Sequence, residues 1–413
     1  MPVILAAILY YLLFVFLIRR LLLKKNITLS TYEILIALGI KVIAGCAYGY
    51  IFLNYFGGDD TWAYHQQSLG EYDKMIHAPL EFFRDLTPAS AIKGSTNGWQ
   101  AIQYYIMDLE TWLTLKLLAV FNIFSRGNYY VNVVFFNAFV FWGHYWLFSL
   151  MVRKYPAKRG IYFISIFLFP PVVFWLSGIR GDGLVFFFIA LLFLQFYRCV
   201  NERKRFAIIS VILALTGVLI FRNVLVLLLI PCLMSWFVSS RYGLKPAKVF
   251  LITYGISIFI FFGTILISST KNLPSVVAQR QYEYFNLKGN TVFKLDSLKP
   301  NIPAFGKVLP QAINNTFLRP YPWEAKGPLQ IMASLEVILL VLLTLLFIFR
   351  KENNWKLTFT DPLILSFIFF GCSLYLFIGY TVPFPGAIVR YKTIAELLLI
   401  FSLVSGIRWK TNR

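Results

Sequence analysis

The chain has 413 residues, 59% of them hydrophobic and 18% aromatic, with a mean hydropathy of +0.69. That composition excludes an ordinary soluble globule, and several apolar runs reach the roughly 20 residues needed to cross a hydrocarbon core about 30 Å thick. A formal net charge of +21 invites a nucleic-acid partner, but the basic residues cluster where the spans return to one face, so the charge is topological and no nucleic acid is expected.

Those clusters are Arg19/Arg20/Lys24/Lys25, Arg153/Lys154/Lys158/Arg159, Arg198/Arg203/Lys204/Arg205, Arg241/Lys245/Lys248, Arg350/Lys351/Lys356 and Arg408/Lys410/Arg413. Glu33, Glu202, Glu352 and Asp361 are the acidic residues on that face. By the positive-inside rule it is the cytoplasmic one. Cys46, Cys199, Cys232 and Cys372 are scattered through apolar runs, which indicates neither a disulfide framework nor a thiolate metal site.

Span one is predicted at about 3–23. Nothing basic precedes it and no small-residue cleavage site follows, so it reads as a retained helix with the N-terminus outside. Span two, about 33–55, returns outward and ends at Gly57-Gly58-Asp59-Asp60-Thr61-Trp62-Ala63-Tyr64-His65. Adjacent carboxylates repel unless a metal ion, a basic side chain or a proton lies beside them. A long outer loop of about 57–128 follows. Within it, His77 to Asp85 and Trp99 to Phe124 mix aromatics with charges at helical spacing. Trp112, Leu115, Leu118 and Phe121 form a stripe that fits a helix lying in the membrane interface.

Span three, about 129–152, carries Asn132, Asn137 and His144, the last expected to hydrogen-bond between helices. Spans four and five, about 160–177 and 183–197, meet at Ser177-Gly178-Ile179-Arg180-Gly181-Asp182-Gly183, with Pro170-Pro171 breaking span four. Spans six and seven, about 206–221 and 224–239, leave Arg222 near membrane depth, which is costly unless it faces water or an anion. Span eight, about 248–268, opens a second outer loop of about 269–328 that contains Arg319-Pro320-Tyr321-Pro322-Trp323-Glu324. Spans nine, ten and eleven are predicted at about 329–349, 362–380 and 393–407, with Arg390 and Lys392 just before the last. The result is an all-α polytopic integral membrane protein, a single transmembrane domain over residues 1–413 with about 11 transmembrane helices.

The polar inventory points to one chemistry. Asp59, Asp60 and His65 lie at the outer end of span two, and Arg180, Arg222, Arg319, Arg390 and Lys392 come from other outer loops or their edges. Guanidinium forks and ammonium groups suit phosphate oxygens, and a neighbouring carboxylate suits a general base. Asp182 beside Arg180 joins the same predicted binding set.

Gly-Asp-Asp at the end of an early span, opening a long outer loop with interface helices, resembles the membrane glycosyltransferases of the GT-C superfamily. The resemblance implies a polyprenyl-phosphate-linked sugar donor, a glycan or lipid acceptor, and Asp59 or Asp60 as the catalytic carboxylate or as ligand to a divalent cation such as Mg or Mn. It also implies surface-polysaccharide assembly at a bacterial inner membrane. The segments "SGIRGDG" and "VRYK" are similar to arginine-bearing loops of such enzymes, and the acidic loop here follows the second span, so an extra N-terminal helix is expected. Two further readings compete. One is a Wzy-like polysaccharide polymerase or ligase, centred on Arg180, Arg319 and Arg390. The other is a transporter or flippase of lipid-linked intermediates, which calls for charged residues within the spans and for broken helices.

Overall fold

The computed structural model describes residues 3–84, 98–268, 272–287, 289 and 291–409, with the backbone alone for 98–104, 106 and 107. Asp85, Lys410 and Arg413 of the segments named above lie outside the described residues. The described chain is 82% helix, without a strand. Among the described residues eight helices are long and apolar enough to cross a membrane, so this is a multi-pass helical membrane protein. It divides into two compact units, Met1–Val224 and Leu225–Arg413.

In the first unit, α1 (Val3–Leu22) and α2 (Thr31–Asn54) are joined by a turn that ends in a capping box. Glu33 N–H donates to Ser30 Oγ at 3.1 Å, and Ser30 N–H donates to Glu33 Oε2 at 2.7 Å. Two of the otherwise orphaned donors at the helix start are thereby satisfied, an effect of about 1 kcal/mol. The chain leaves α2 through Gly57 and Gly58, whose φ angles of 73° and 107° favour glycine. It enters α3 (Asp60–His77) with Asp59 as N-cap.

The short α4 (Pro79–Arg84) and the long α5 (Gly98–Ser125) complete the predicted first loop. The α5 stripe packs on protein: Leu115, Leu118 and Phe121 are buried, and Phe121 meets Phe135 with ring centroids 5.6 Å apart. Trp112 lies beneath the ammonium groups of Lys74 and Lys116, 5.6 and 5.7 Å away. Lys116 also pairs with Glu71 at 2.6 Å, tying α5 to α3.

The next helix, α6 (Tyr129–Lys154), is 83% buried along its apolar window. Predicted span four is not one helix. It comprises α7 (Arg159–Phe163), a π-turn (Ile164–Leu168) and α8 (Pro170–Trp175). Pro170 lacks an N–H and pushes Phe169 out of the helical region, to φ −67°, ψ 119°. After the 177–183 hairpin comes α9 (Gly181–Val200).

Predicted spans six and seven form one helical element, α10 (Ala207–Tyr242), interrupted at Arg222 with φ −158° and ψ 77°. It passes from the first unit into the second. There α11 (Pro246–Ile267) buries just 6% of its apolar window, leaving apolar side chains uncovered as lipid-facing ones are.

The second predicted loop is built of α12 (Leu273–Phe285), α13 (Ile302–Ile313), a π-turn (Asn314–Leu318) and a 3-10 turn (Pro322–Glu324). Gln281 holds it together. Its amide donates to the carbonyls of Asp296 and Tyr380 at 3.1 and 2.8 Å, and its oxygen accepts from Leu298 N–H at 2.6 Å.

Helices α14 (Pro328–Arg350), α15 (Trp355–Phe359), α16 (Pro362–Thr381) and α17 (Pro385–Gly406) finish the chain. The last begins eight positions before the predicted span eleven, because Pro385 is a favourable first helical residue. Arg390 and Lys392 therefore lie on a helix and not in the loop expected from the sequence. The count of eight differs from about 11 because span four is broken, spans six and seven follow one another across the kink at Arg222 and count as one element, and the charged α17 falls outside the apolar set.

Candidate functional site

Three helix ends of the first unit meet around Arg180. The last turns of α2 bring Tyr48, the start of α3 brings Asp59 and Asp60, and the hairpin before α9 brings Arg180 and Asp182. Residues 120 positions apart thus become neighbours. Arg180 forks between the two aspartates, with Nη1 on Asp59 Oδ2 at 2.5 Å and Nη2 on Asp60 Oδ2. Nη1 also donates to the Tyr48 hydroxyl at 2.8 Å, and Nε lies 3.9 Å from Asp182 Oδ2. The Arg180 side chain is 7% exposed. Its burial is compatible with charge because carboxylates surround it, and removal of one partner from such a buried pair typically costs about 3–5 kcal/mol.

The two aspartates have different surroundings. Asp59 spends Oδ1 on Thr61 N–H at 2.9 Å and Oδ2 on Tyr48 and Arg180, and its side chain is 15% exposed. It caps α3 and anchors the guanidinium. Asp60, one residue on, is held by the same guanidinium yet is 61% exposed. The helix dipole at the start of α3 favours negative charge at both positions.

Asp182 extends the cluster by accepting from Arg222 Nη2 at 3.1 Å. Arg222 can make this bond because α10 is interrupted at that residue. Its side chain is 29% exposed, the more accessible of the two arginines.

Sequence reasoning missed Tyr48, Tyr64 and Glu110. Glu110, on α5, interacts electrostatically with Arg222, Asp182, Asp60 and Arg180, and burial pushes its carboxyl above the usual range. Burial, then the nearby Glu110 and Asp60 charges, raises the Tyr64 phenol to about 12. Gly181 leaves room for this approach: a Cβ there would lie 2.3 Å from Glu110 Oε1, so the end of the glutamate side chain would have to shift. The available sequence signal was a carboxylate in the middle of the aromatic helix of the first loop.

His65 does not join the cluster. It is buried against Trp62 and Tyr129 at ring distances of 5.9 and 5.4 Å, with Nδ1 lacking a hydrogen-bond partner. Burial holds its imidazole below the usual range.

The remaining predicted cations belong to the second unit and have their own partners. Arg319 pairs with Glu324 at 2.5 Å and lies 4.5 Å over the Phe293 ring. Arg390 donates to the Tyr391 hydroxyl at 2.8 Å. Lys392 is 1% exposed and interacts electrostatically with Glu336 and Glu396.

Among the described residues no group of three or more His, Cys, Asp or Glu side chains is placed to hold a metal ion. At the Asp59–Asp60 pair the guanidinium occupies the position between the carboxylates, so a bridging divalent cation would have to displace Arg180. Compared with family models, curated proteins and solved structures, the chain matches none of them.

Proposed function

We propose that the Asp60–Arg180 cluster is the catalytic centre of a membrane glycosyltransferase that moves a sugar from a polyprenyl-phosphate-linked donor to a glycan or lipid acceptor. The observation that carries this reading is the exposed carboxylate of Asp60, held in place by a guanidinium that is itself buried. A base must reach its substrate and keep one orientation, and this pairing provides both.

In the proposed reaction the acceptor hydroxyl oxygen bonds to the anomeric carbon. Its proton passes to Asp60, and the anomeric carbon–phosphate oxygen bond breaks. The phosphate leaves as an anion toward Arg222, the more exposed arginine of the cluster. Asp59, Tyr48 and Asp182 are positioning residues acting through Arg180 and Arg222. Glu110 lies in the same electrostatic neighbourhood, and burial raises its carboxyl above the ordinary glutamate range. No step is routed through a divalent cation.

The test is transfer by the purified full-length protein from a short-chain polyprenyl-phosphate sugar. Asp60→Asn is expected to lower turnover by at least about 100-fold while the protein stays folded, since Asp59 remains on the Arg180 guanidinium. Normal turnover in a folded Asp60→Asn protein would remove the reading.

One observation favours a second reading, translocation of a lipid-linked intermediate. In the second unit Lys392, Glu396 and Glu336 are buried at 1%, 0% and 6% exposure, and both Glu396 carboxyl oxygens lack hydrogen-bond partners. Ionisable side chains buried in membrane helices mark ion and substrate paths. Glu396→Gln is then expected to slow translocation in vesicles while Asp60→Asn leaves it intact. The opposite pattern supports transfer.

A further inference from the structure

At the ends of α2, α6 and α9 opposite the aspartate–arginine cluster, the first unit contains a cavity of about 640 Å³. Its walls are the turn after α1, the last turns of α6 and α9, and the segment that follows α9. The turn is fixed in place, because the Tyr145 hydroxyl on α6 donates to the Ile27 carbonyl at 2.7 Å. A cavity of this size accommodates a small organic ligand or a lipid headgroup.

The lining is strongly one-signed. Lys24, Lys25, Arg153, Arg198 and Lys204 face a single carboxylate, Glu202. That carboxylate is already shared, pairing with Arg153 and, at 3.0 Å, with Lys204. Lys24, Lys25 and Arg198 are left without an acidic partner in the lining, and Arg198 Nε is buried with no hydrogen bond. Basic residues spread along a membrane face point separately into water. Here they converge on one concavity, where their fields add and attract an anion. Trp146 and Leu194 supply apolar wall beside the charges.

We propose that this cavity binds a phosphate-bearing anion, with Arg198 as the fork on the phosphate and Lys24 and Lys25 closing over it. Guanidinium and ammonium donors at the membrane edge match phosphate oxygens, carried by a lipid headgroup or by a soluble phosphate. The inference is independent of the proposed transferase reaction, which uses the other end of the same helices.

The experiment titrates full-length protein in neutral detergent with two probes, short-chain phosphatidic acid and inorganic pyrophosphate. Saturable one-site binding of phosphatidic acid alone supports a lipid headgroup, and saturable, mutually competitive binding of both supports recognition of the phosphate itself. Lys24→Gln/Lys25→Gln, in a turn outside the helices, is expected to weaken binding about 25-fold, at roughly fivefold per charge. Arg198→Gln is expected to weaken it at least as much. Lys351→Gln/Lys356→Gln, in the second unit, should leave binding unchanged. The proposal is overturned if neither probe saturates, if the cavity variants at unchanged melting temperature bind as well as wild type, or if the second-unit variant loses as much.

Discussion

Arg180 shows how one side chain reconciles a cluster that repulsion would otherwise open. Asp59, Asp60 and Asp182 surround it, and its planar guanidinium addresses Asp59 and Asp60 from separate nitrogens in a fixed fork geometry. Glu110 provides the pH signature of the site. Its folded carboxyl titrates above the ordinary 4.5 because burial disfavours the charged form. The folded state therefore holds a proton that the unfolded chain has released, and this contribution to stability is complete below pH 4.5 and lost as pH rises through the folded value. Melting temperatures over a pH series are expected to show that downward slope in wild type and a flatter one in Glu110→Gln. Identical slopes would place Glu110 in ordinary solvent.

At the scale of elements, the site depends on where helices stop. The turn from α2 into α3 must reverse within a few residues, and Gly57 and Gly58 do so with φ angles that side chains resist. Gly57→Ala is expected to cost about 1 kcal/mol. Gly58→Ala, at φ 107°, should cost about 1–3 kcal/mol in thermal unfolding and lower the transfer rate by misplacing Asp59 and Asp60. Unfolding temperatures matching wild type would show a turn that relaxes freely. The interruption at Arg222 has the same logic, since an unbroken helix would not present its guanidinium to Asp182 in this way.

For the molecule as a whole, the charge pattern of the sequence and the cavity of the first unit agree. Three basic clusters far apart in the chain, at Lys24/Lys25, Arg153 and Arg198/Lys204, line one concavity and therefore share one side of the first unit. The Asp60 cluster lies at the other ends of the same helices. Reporter fusions in the turns at 24–28 and 201–205 are expected on the cytoplasmic side, and a fusion at Ala78 on the opposite side. A fusion at Ala78 reporting the same side as the other two would refute this orientation.

The sequence by itself determined the helical membrane class, the first three spans to within two residues at either end, the break at Pro170 and the interruption at Arg222. These follow from local quantities, namely apolar run length, proline geometry and the cost of charge at depth. It also singled out Asp59, Asp60, Arg180, Asp182 and Arg222, because charges at the edges of apolar runs stand out. Only the tertiary structure decided that those five meet, that Asp59 is held inward while Asp60 stays open, and that Glu110 and Tyr48 belong with them. It likewise put His65 in an aromatic packing niche and Lys392 inside a helix among carboxylates. Pairings across 120 positions depend on how helices pack, and packing is set by the shapes of side chains in contact, which no local pattern encodes.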